Sequence, residues 1–310
     1  MRPLRLVPDN THIRFMRGRL TGPLVSAVLS VVSVFLFFWP GVNYGVDFRG
    51  GVVAELRTVQ AADLGAMRGA FEELRLSEVK LQDFGSANDV RVILSTSAAS
   101  QAGQRTVRDM IAKRFPGTEI RSFEVVGATV SEELFRHGME ASAAALAAVL
   151  LYVWFRFDWQ YGVGVVVTLL LDLTKTVGFL ALTRLQFDLN TVAAILTLIG
   201  YSVTDKVVVY DRIRENVRRH RSMELREIID LSINQTLGRT VATSLTVLLS
   251  ILPLALIGHE SIRDFALTII FGIVVGTSSS IFIASPILLY LGQGKLSGRA
   301  AGEPATATPE

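Results

Sequence analysis

The sequence predicts an α-helical membrane protein: six transmembrane helices, with one small domain of mixed strands and helices placed outside the membrane between the first two. Three observations carry that reading. Half of the 310 residues are hydrophobic and only 19% are charged, a balance too apolar for an ordinary soluble domain. Six mostly apolar runs reach the roughly 18 residues needed to cross a bilayer. The one long polar stretch, 42–134, alternates strand-like and helix-like periods.

The apolar runs lie at 21–39, 138–155, 161–183, 190–210, 240–257 and 265–291. The first has a basic lead (Arg2, Arg5, Arg14, Arg17, Arg19) like that of a signal peptide. It ends in Phe37-Phe38-Trp39-Pro40 with no small-residue cleavage pattern, so it reads as an uncleaved anchor. Pro253 predicts a kink in the fifth run, and the length of the sixth predicts a tilt or bend.

Basic residues sort the loops. The basic lead, Arg156, six residues between Arg212 and Arg226, and Lys295 with Arg299 flank one side, whereas the short loops opposite hold only Arg184 and Arg263. That asymmetry places both termini in the cytosol and the protein in a multi-pass orientation. The domain plan is then 1–20 as a cytosolic N-terminus, 21–39 as the first helix, 40–134 outside, 135–292 as helices two to six, and 293–310 as a disordered cytosolic tail rich in Gly, Ala, Pro and Thr.

Within the outside piece, VVAELRT, VKLQDFG, DVRVILST and TEIRSFEVVG read as strands, while AADLGAMRGAFEELR and QAGQRTVRDMIAKRF read as helices. The order is βαββαβ, the ferredoxin-like pattern of an antiparallel sheet with helices on one face. This segment has no cysteine, histidine or glycine-rich phosphate loop, so contact with another molecule is its expected work.

Several function classes fall away. Without a cysteine there is no disulfide, thiolate nucleophile or thiolate metal site. His12, His137, His220 and His259 are scattered, so no metal site and no catalytic residue is assigned, and no cofactor is expected. The net charge of +3 comes from basic residues beside apolar spans, which membrane orientation explains better than nucleic acid.

Charges inside the spans are the informative feature. Such a residue costs about 2.5–3.5 kcal/mol near the bilayer centre on insertion scales, and therefore faces the bundle interior and a partner. "GYSVTDKVVVYDRIREN", 200–216, carries Asp205 and Lys206 amid apolar residues. Asp205 lies roughly 22 Å from the outer end of its span at 1.5 Å per residue, with Tyr201 and Ser202 on its face. In the fifth span Arg239 leads a stripe of Thr243, Thr246 and Ser250, which puts Arg239 within reach of Asp205 at similar depth. The third span carries Asp172 with Thr168, Lys175 and Thr176 on one face.

Two readings of these stripes stand side by side. In one, Asp205, Arg239 and Asp172 conduct protons, because a carboxylate in poorly solvated surroundings can load and unload a proton and a guanidinium nearby biases that exchange. In the other they are buried ion pairs that specify helix packing; Lys175 at i+3 would neutralise Asp172 in that way. Lys206 points about 100° from Asp205 on a helix and either snorkels or pairs elsewhere.

Three further stretches stand out. Asp211, Arg212, Arg214, Glu215 and Asn216 form a juxtamembrane group that reads as a solvated, charged helix end. "GVDFRGG", 45–51, with Asp47, Phe48, Arg49, Gly50 and Gly51, reads by itself as a linker turn. Gly272 and Gly276 in the sixth span are spaced for close helix packing.

Taken together, the six spans, the single outside domain, VDFRGG, GYSVTDKVVVYDRIREN and INQTLGRTVATSLT at 233–246 closely resemble the SecF members of the SecDF protein-export family, over about residues 15–292. The resemblance implies a six-helix bundle equivalent to half of a resistance-nodulation-division (RND) transporter, seated in a bacterial inner membrane. It implies proton conduction through Asp205 with Arg239 beside it, protons as the coupling ion, and SecD, the SecYEG channel, YajC and the unfolded exported polypeptide as partners. A start at Met1 suggests a separate SecD chain. Leu171 stands beside Asp172 where the family pattern has histidine, and Lys175 and Lys206 stand where that pattern has uncharged residues. A non-transporting translocon scaffold and an RND-type exporter of amphiphiles are the rival readings. The outside region is too short for SecD itself.

Overall fold

The structure is a computed structural model that describes residues 7–8, 11–74, 79–84, 86–258 and 260–292. His259 and the tail expected to be disordered, 293–310, lie outside the described residues. Six helical segments among them are long and apolar enough to cross a membrane. These are α1 (Thr21–Leu36) with a π turn at Phe37–Gly41, α5 (Ala128–Arg156), α6 (Trp159–Thr183), α7 (Leu189–Arg219), α8 (Leu225–Ile257), and a last span of α9 (Glu260–Ser279), a second π turn (Ser280–Ala284) and α10 (Ser285–Gly292).

Several helices outrun their apolar runs because their polar ends are good helix formers with no Gly or Pro to stop them: α5 starts ten residues earlier, and α7 continues through the charged DRIREN segment. Asp188 caps α7, its Oδ1 accepting from the Thr191 amide at 2.8 Å. The last span, expected to tilt or bend, carries a π turn at Ser280–Ala284; such turns lie disproportionately at functional sites. α8 runs on as helix through Pro253.

α6, α7 and α9 form the centre, with about half of each apolar window buried (50%, 50% and 56%), against 6% for α5 and 11% for α8. In lipid the apolar effect cannot drive helices together, so close approach must come from small residues. Gly164 of α6 does this: a Cβ there would sit 2.2 Å from the Tyr210 hydroxyl of α7. Likewise a Cβ on Gly178 would meet Ser33 of α1, and one on Gly272 of α9 would meet Leu198 of α7. Tyr161, Tyr210 and Phe157 pack edge to face in the core.

The outside domain follows the expected βαββαβ order: β2 (Gly51–Arg57), α3 (Leu64–Glu72), β3 (Val79–Phe84), β4 (Ser86–Leu94), α4 (Gln101–Arg114) and β5 (Glu119–Val126). The sheet order is β3-β4-β2-β5 with every pairing antiparallel. Alternation decides the faces. Val52, Ala54 and Leu56 of β2 and Val90, Val92 and Leu94 of β4 point to one side, and Met67, Phe71, Val107 and Ile111 of the two helices close over them. The other face carries cross-strand charge pairs: Arg91 to Glu55 at 2.8 Å, and Arg57 Nε to Asp89 at 2.9 Å.

Two outcomes follow from this packing. Gly164→Leu should destabilise the bundle by about 1–3 kcal/mol through overpacking against Tyr210, whereas Gly138→Leu, where an added Cβ meets nothing within 4 Å, should be neutral; thermal unfolding in detergent compares them. In the sheet, the Ser86 hydroxyl holds the Asp89 carboxyl below its ordinary value against the opposing effect of burial, with the Arg57 guanidinium adding to it. A depressed carboxylate stabilises the fold above its unfolded value, near 3.9, and that contribution is lost as pH falls through the lower folded value. Amide exchange in β2 and β4 should therefore quicken below about pH 4, and Asp89→Asn should abolish this acid-dependent part.

Candidate functional site

The charged residues of the spans converge on a buried seam among α6, α7 and the π turn of the last span. Asp172 is its hub. Its Oδ1 accepts from Lys175 Nζ at 3.1 Å, and its Oδ2 accepts from Lys206 Nζ at 3.0 Å, Ser202 Oγ at 3.1 Å and Ser279 Oγ at 2.6 Å. Lys175 also donates to Ser26 of α1 at 3.3 Å, so four helices meet through one carboxylate. The expected stripe of Thr168, Asp172, Lys175 and Thr176 is buried throughout. Lys206 does not snorkel; it is fully buried and pairs with Asp172.

Asp205 is buried next to this cluster, beside Ser280 of the π turn and Thr240 of α8 and within electrostatic reach of Lys206. Among the described residues its Oδ2, like the Thr240 hydroxyl, makes no hydrogen bond of good geometry, although the Ser280 and Thr240 hydroxyls lie close by. A buried carboxylate oxygen without a donor is costly as a static feature and suits a group that exchanges a proton.

Arg239 is not where its spacing predicts. It is exposed, and no ion pair joins it to Asp205 among the described residues. The reason is the rotation of α8, which carries two polar stripes. Ser232, Thr236, Thr240 and Ser244 face the bundle and are buried, while Arg239, Thr243, Thr246 and Ser250 lie on the uncovered side. The inward stripe joins the seam where Ser244 shares hydrogen bonds with Tyr201 of α7 at 2.6 Å and Thr277 of α9 at 2.8 Å.

Two motifs frame the seam. At one end of α7, the DRIREN group is more than a solvated helix end. Arg156 Nη2 of α5 donates to both carboxylate oxygens of Asp211, at 2.9 and 2.8 Å. Buried Asn216 donates to Ser232 and Gln235 of α8, Arg212 bonds Gln235 and Glu215, and Glu215 also pairs with Arg219. Arg214 lines the shallow cleft with Arg156 and Arg218.

At the opposite end, beside the sheet domain, GVDFRGG is a docked junction and no free linker. β1 (Asn43–Tyr44) pairs in parallel with β6 (Gln186–Phe187), and the short helix α2 (Val46–Arg49) presents Asp47, whose Oδ2 accepts from the Leu189 amide at the start of α7 at 3.0 Å. Phe48 packs on Phe135 and Phe187, and Arg49 lines a cavity of about 380 Å³ between junction and sheet. Gly50 and Gly51 have φ of 71° and 136°, and a Cβ on Gly51 would strike the Leu94 carbonyl at 2.2 Å, so only glycine serves there.

The residues that sequence reasoning missed are Ser279 and Ser280. They lie in the hydroxyl run Thr277–Ser280 after Gly276, which the sequence alone assigns to close helix packing. No cluster of three or more metal-ligating side chains occurs among the described residues.

Comparison with known proteins gives this arrangement relatives. The family model described as protein export membrane protein SecD/SecF, C-terminal, matches residues 106–294, and the SecD/SecF GG motif matches 35–62, which contains the junction. The chain is 42% identical over 303 residues to the protein translocase subunit SecF of Rickettsia akari, covering 96% of this chain and 97% of that one. It is 42% identical over 292 residues to that of Rickettsia felis, covering 92% and 94%. Among solved structures it is similar to SecDF, a translocon-associated membrane protein from Thermus thermophilus, with a TM-score of 0.83 and 35% identity over 93% of this chain. SecDF in a super-membrane-facing form gives 0.71 and 33% over 98%. The chain spans 39% and 42% of those two solved chains.

The junction makes a direct test of its role. Asp47→Ala should remove a cap worth about 1 kcal/mol from α7, speeding amide exchange at 189–192 in a mass-spectrometric experiment while exchange in β2, β4 and β5 stays as in the parent chain.

Proposed function

The chain belongs to the SecD/SecF family of protein export membrane proteins, and from that membership we propose that it is the SecF-type subunit of a protein translocase that uses the proton gradient to promote export of polypeptides. It sits in the bacterial inner membrane with both termini cytosolic, an orientation supported by the basic residues flanking one side of the spans. Its partners are SecD, the SecYEG channel, YajC and the unfolded polypeptide emerging on the outer side. Protons are the coupling ion, and no enzyme chemistry is assigned.

The observation that carries this reading is Asp205, buried with an unpartnered carboxylate oxygen against the π turn. One elementary charge crossing 100 mV releases about 2.3 kcal/mol, enough to bias a two-state equilibrium of a few kcal/mol. A path for that bias is built in. α7 carries Asp205 roughly 24 Å along the helix from Leu189 at 1.5 Å per residue, and the Leu189 amide is held by Asp47 of the junction that leads into the outside domain. A shift of α7 on proton exchange thus pulls on the first strand of that domain.

The uncovered side of α8 supports the partnership with SecD. Arg239, Thr243, Thr246 and Ser250 lie exposed, and α7 exposes Thr197, Gly200 and Thr204. Lipid is a poor neighbour for such a surface, and the solved relatives are more than twice as long as this chain. A second bundle, that of SecD, covers this face and brings its own groups to Arg239.

The test is export of a secreted reporter into proton-energised vesicles that contain this chain with SecD, at equal membrane abundance. Asp205→Asn should lower the gradient-stimulated part roughly tenfold, the scale of a coupling free energy of 1–3 kcal/mol, and Arg239→Met should act in the same direction. Full gradient dependence in Asp205→Asn would leave the seam as a packing device and favour the scaffold reading.

A further inference from the structure

Lys175 and Lys206 have no part in the function just described, yet both are buried in the membrane interior. Their arrangement sets a charge balance. Both lysines pair with the single carboxylate of Asp172, at 3.1 and 3.0 Å. Two ammonium groups against one carboxylate leave one positive charge over in a region of low dielectric, where a net charge is expensive. The serines that complete the cluster, Ser26, Ser202 and Ser279, are neutral.

The missing negative charge is next in the chain. Asp205 adjoins Lys206 on α7, and each lies within electrostatic reach of the other. Among the described residues no other anion faces the cluster. Facing Asp205 from α8 is Thr240 and from the π turn Ser280, both uncharged. On α6 the charged groups facing the seam are Asp172 and Lys175 themselves. α1 contributes Ser26, Ser30 and Ser33, and Arg239 lies on the exposed side of α8.

We propose that the Lys175–Asp172–Lys206 cluster is the fixed counter-charge of Asp205: its one surplus positive charge makes the seam neutral only when Asp205 is ionised, and thereby allows a proton carried by Asp205 to leave. Asp172, engaged at both oxygens, stays a carboxylate and holds the two lysines in place. The proton departs from Asp205 to water, its electron pair stays on the carboxylate, and the Lys206 ammonium accepts the new charge as its ion partner. This inference rests on the proton-carrying role of Asp205 and specifies which residues make that role possible. It also accounts for a co-occurrence: two lysines beside a single buried carboxylate would be destabilising in any seam that lacked a further anion.

The test reads Asp205 itself. Dicyclohexylcarbodiimide modifies protonated carboxyls in apolar surroundings, so its labelling of Asp205, followed by peptide mass spectrometry across pH in vesicles holding the complex with SecD, reports when the proton is present. Lys175→Met removes the surplus charge and should extend labelling to higher pH by about one unit or more, the usual effect of one nearby charge. Asp172→Asn adds a surplus charge and should move labelling the opposite way. The double variant Asp172→Asn/Lys175→Met restores one net positive charge and should bring the profile back towards that of the parent chain.

An unmoved profile in either single variant overturns the proposal, as does failure of the parent chain to label at any pH. If Lys175→Met does not assemble with SecD, the Asp172→Asn profile decides alone. Export separates this inference from the one beneath it. If Asp205→Asn keeps full gradient dependence while the labelling profiles move as stated, the counter-charge stands and the proton-driven export reading falls. If Asp205→Asn loses gradient dependence and the profiles do not move, only the counter-charge falls.

Discussion

One carboxylate organises the membrane bundle. Asp172 takes donors from its own helix, from α7 and from the last span, and through Lys175 it reaches α1. In hydrocarbon each of those groups would be penalised if left alone, so the helices are held in the one mutual rotation that satisfies them all. The glycines make that rotation attainable. Gly164, Gly178 and Gly272 let α6, α7, α1 and α9 come close enough for lysine, serine and carboxylate to meet, and side chains of any size there would separate the donors from the acceptor. The polar seam and the small-residue packing are therefore a single device: one supplies direction, the other proximity.

Against that scaffold Asp205 is conspicuous because its carboxylate is incompletely engaged. Asp172 is saturated and Asp205 is not, although they share a seam and a lysine neighbour. Saturation favours a fixed charge, and an open lone pair favours exchange. The π turn at Ser280–Ala284 sits at this point, and a widened turn is a local departure from ideal helix that a small rearrangement can remove or move. The same helix that carries Asp205 is held at its N-terminal end by Asp47 of the GG-motif junction and towards its C-terminal end by Arg156, Ser232 and Gln235. A charge event in the middle of α7 is thus placed between two fixed ends, one of which leads into the outside domain.

Much of this was readable beforehand, for physical reasons that also mark the limits. The existence of six spans follows from hydrocarbon thickness, and the βαββαβ order from the switch between periods of 2 and 3.6, so both appear in the structure, although α5, α7 and α8 run past their apolar runs. The α6 stripe was readable because α6 has one polar face only. α8 was not, because it has two: with Ser232, Thr236, Thr240 and Ser244 on one side and Arg239, Thr243, Thr246 and Ser250 on another, periodicity cannot say which faces its own bundle. Choosing the stripe that contains the arginine brought Arg239 to Asp205, and the structure turns it away. The junction was hidden for a different reason. Asp47 acts through a backbone amide 142 positions distant, and an amide leaves no signature in the sequence.

The two faces of α8 carry the last step. A helix that needs only to close its own bundle has no use for a second polar stripe, and in lipid that stripe would cost free energy at Arg239 above all. The threonines lessen the cost locally, since Thr243 and Thr246 donate to carbonyls of their own helix turn, but a guanidinium has too many donors to be satisfied that way. α7 likewise leaves the small residues Thr197, Gly200 and Thr204 uncovered, and small residues permit a close approach from a neighbour. One face of α8 therefore completes the seam around Asp205 and the other presents an arginine to whatever packs on the bundle. Because both faces belong to one helix, a rotation that answers a charge change inside would also move the arginine outside.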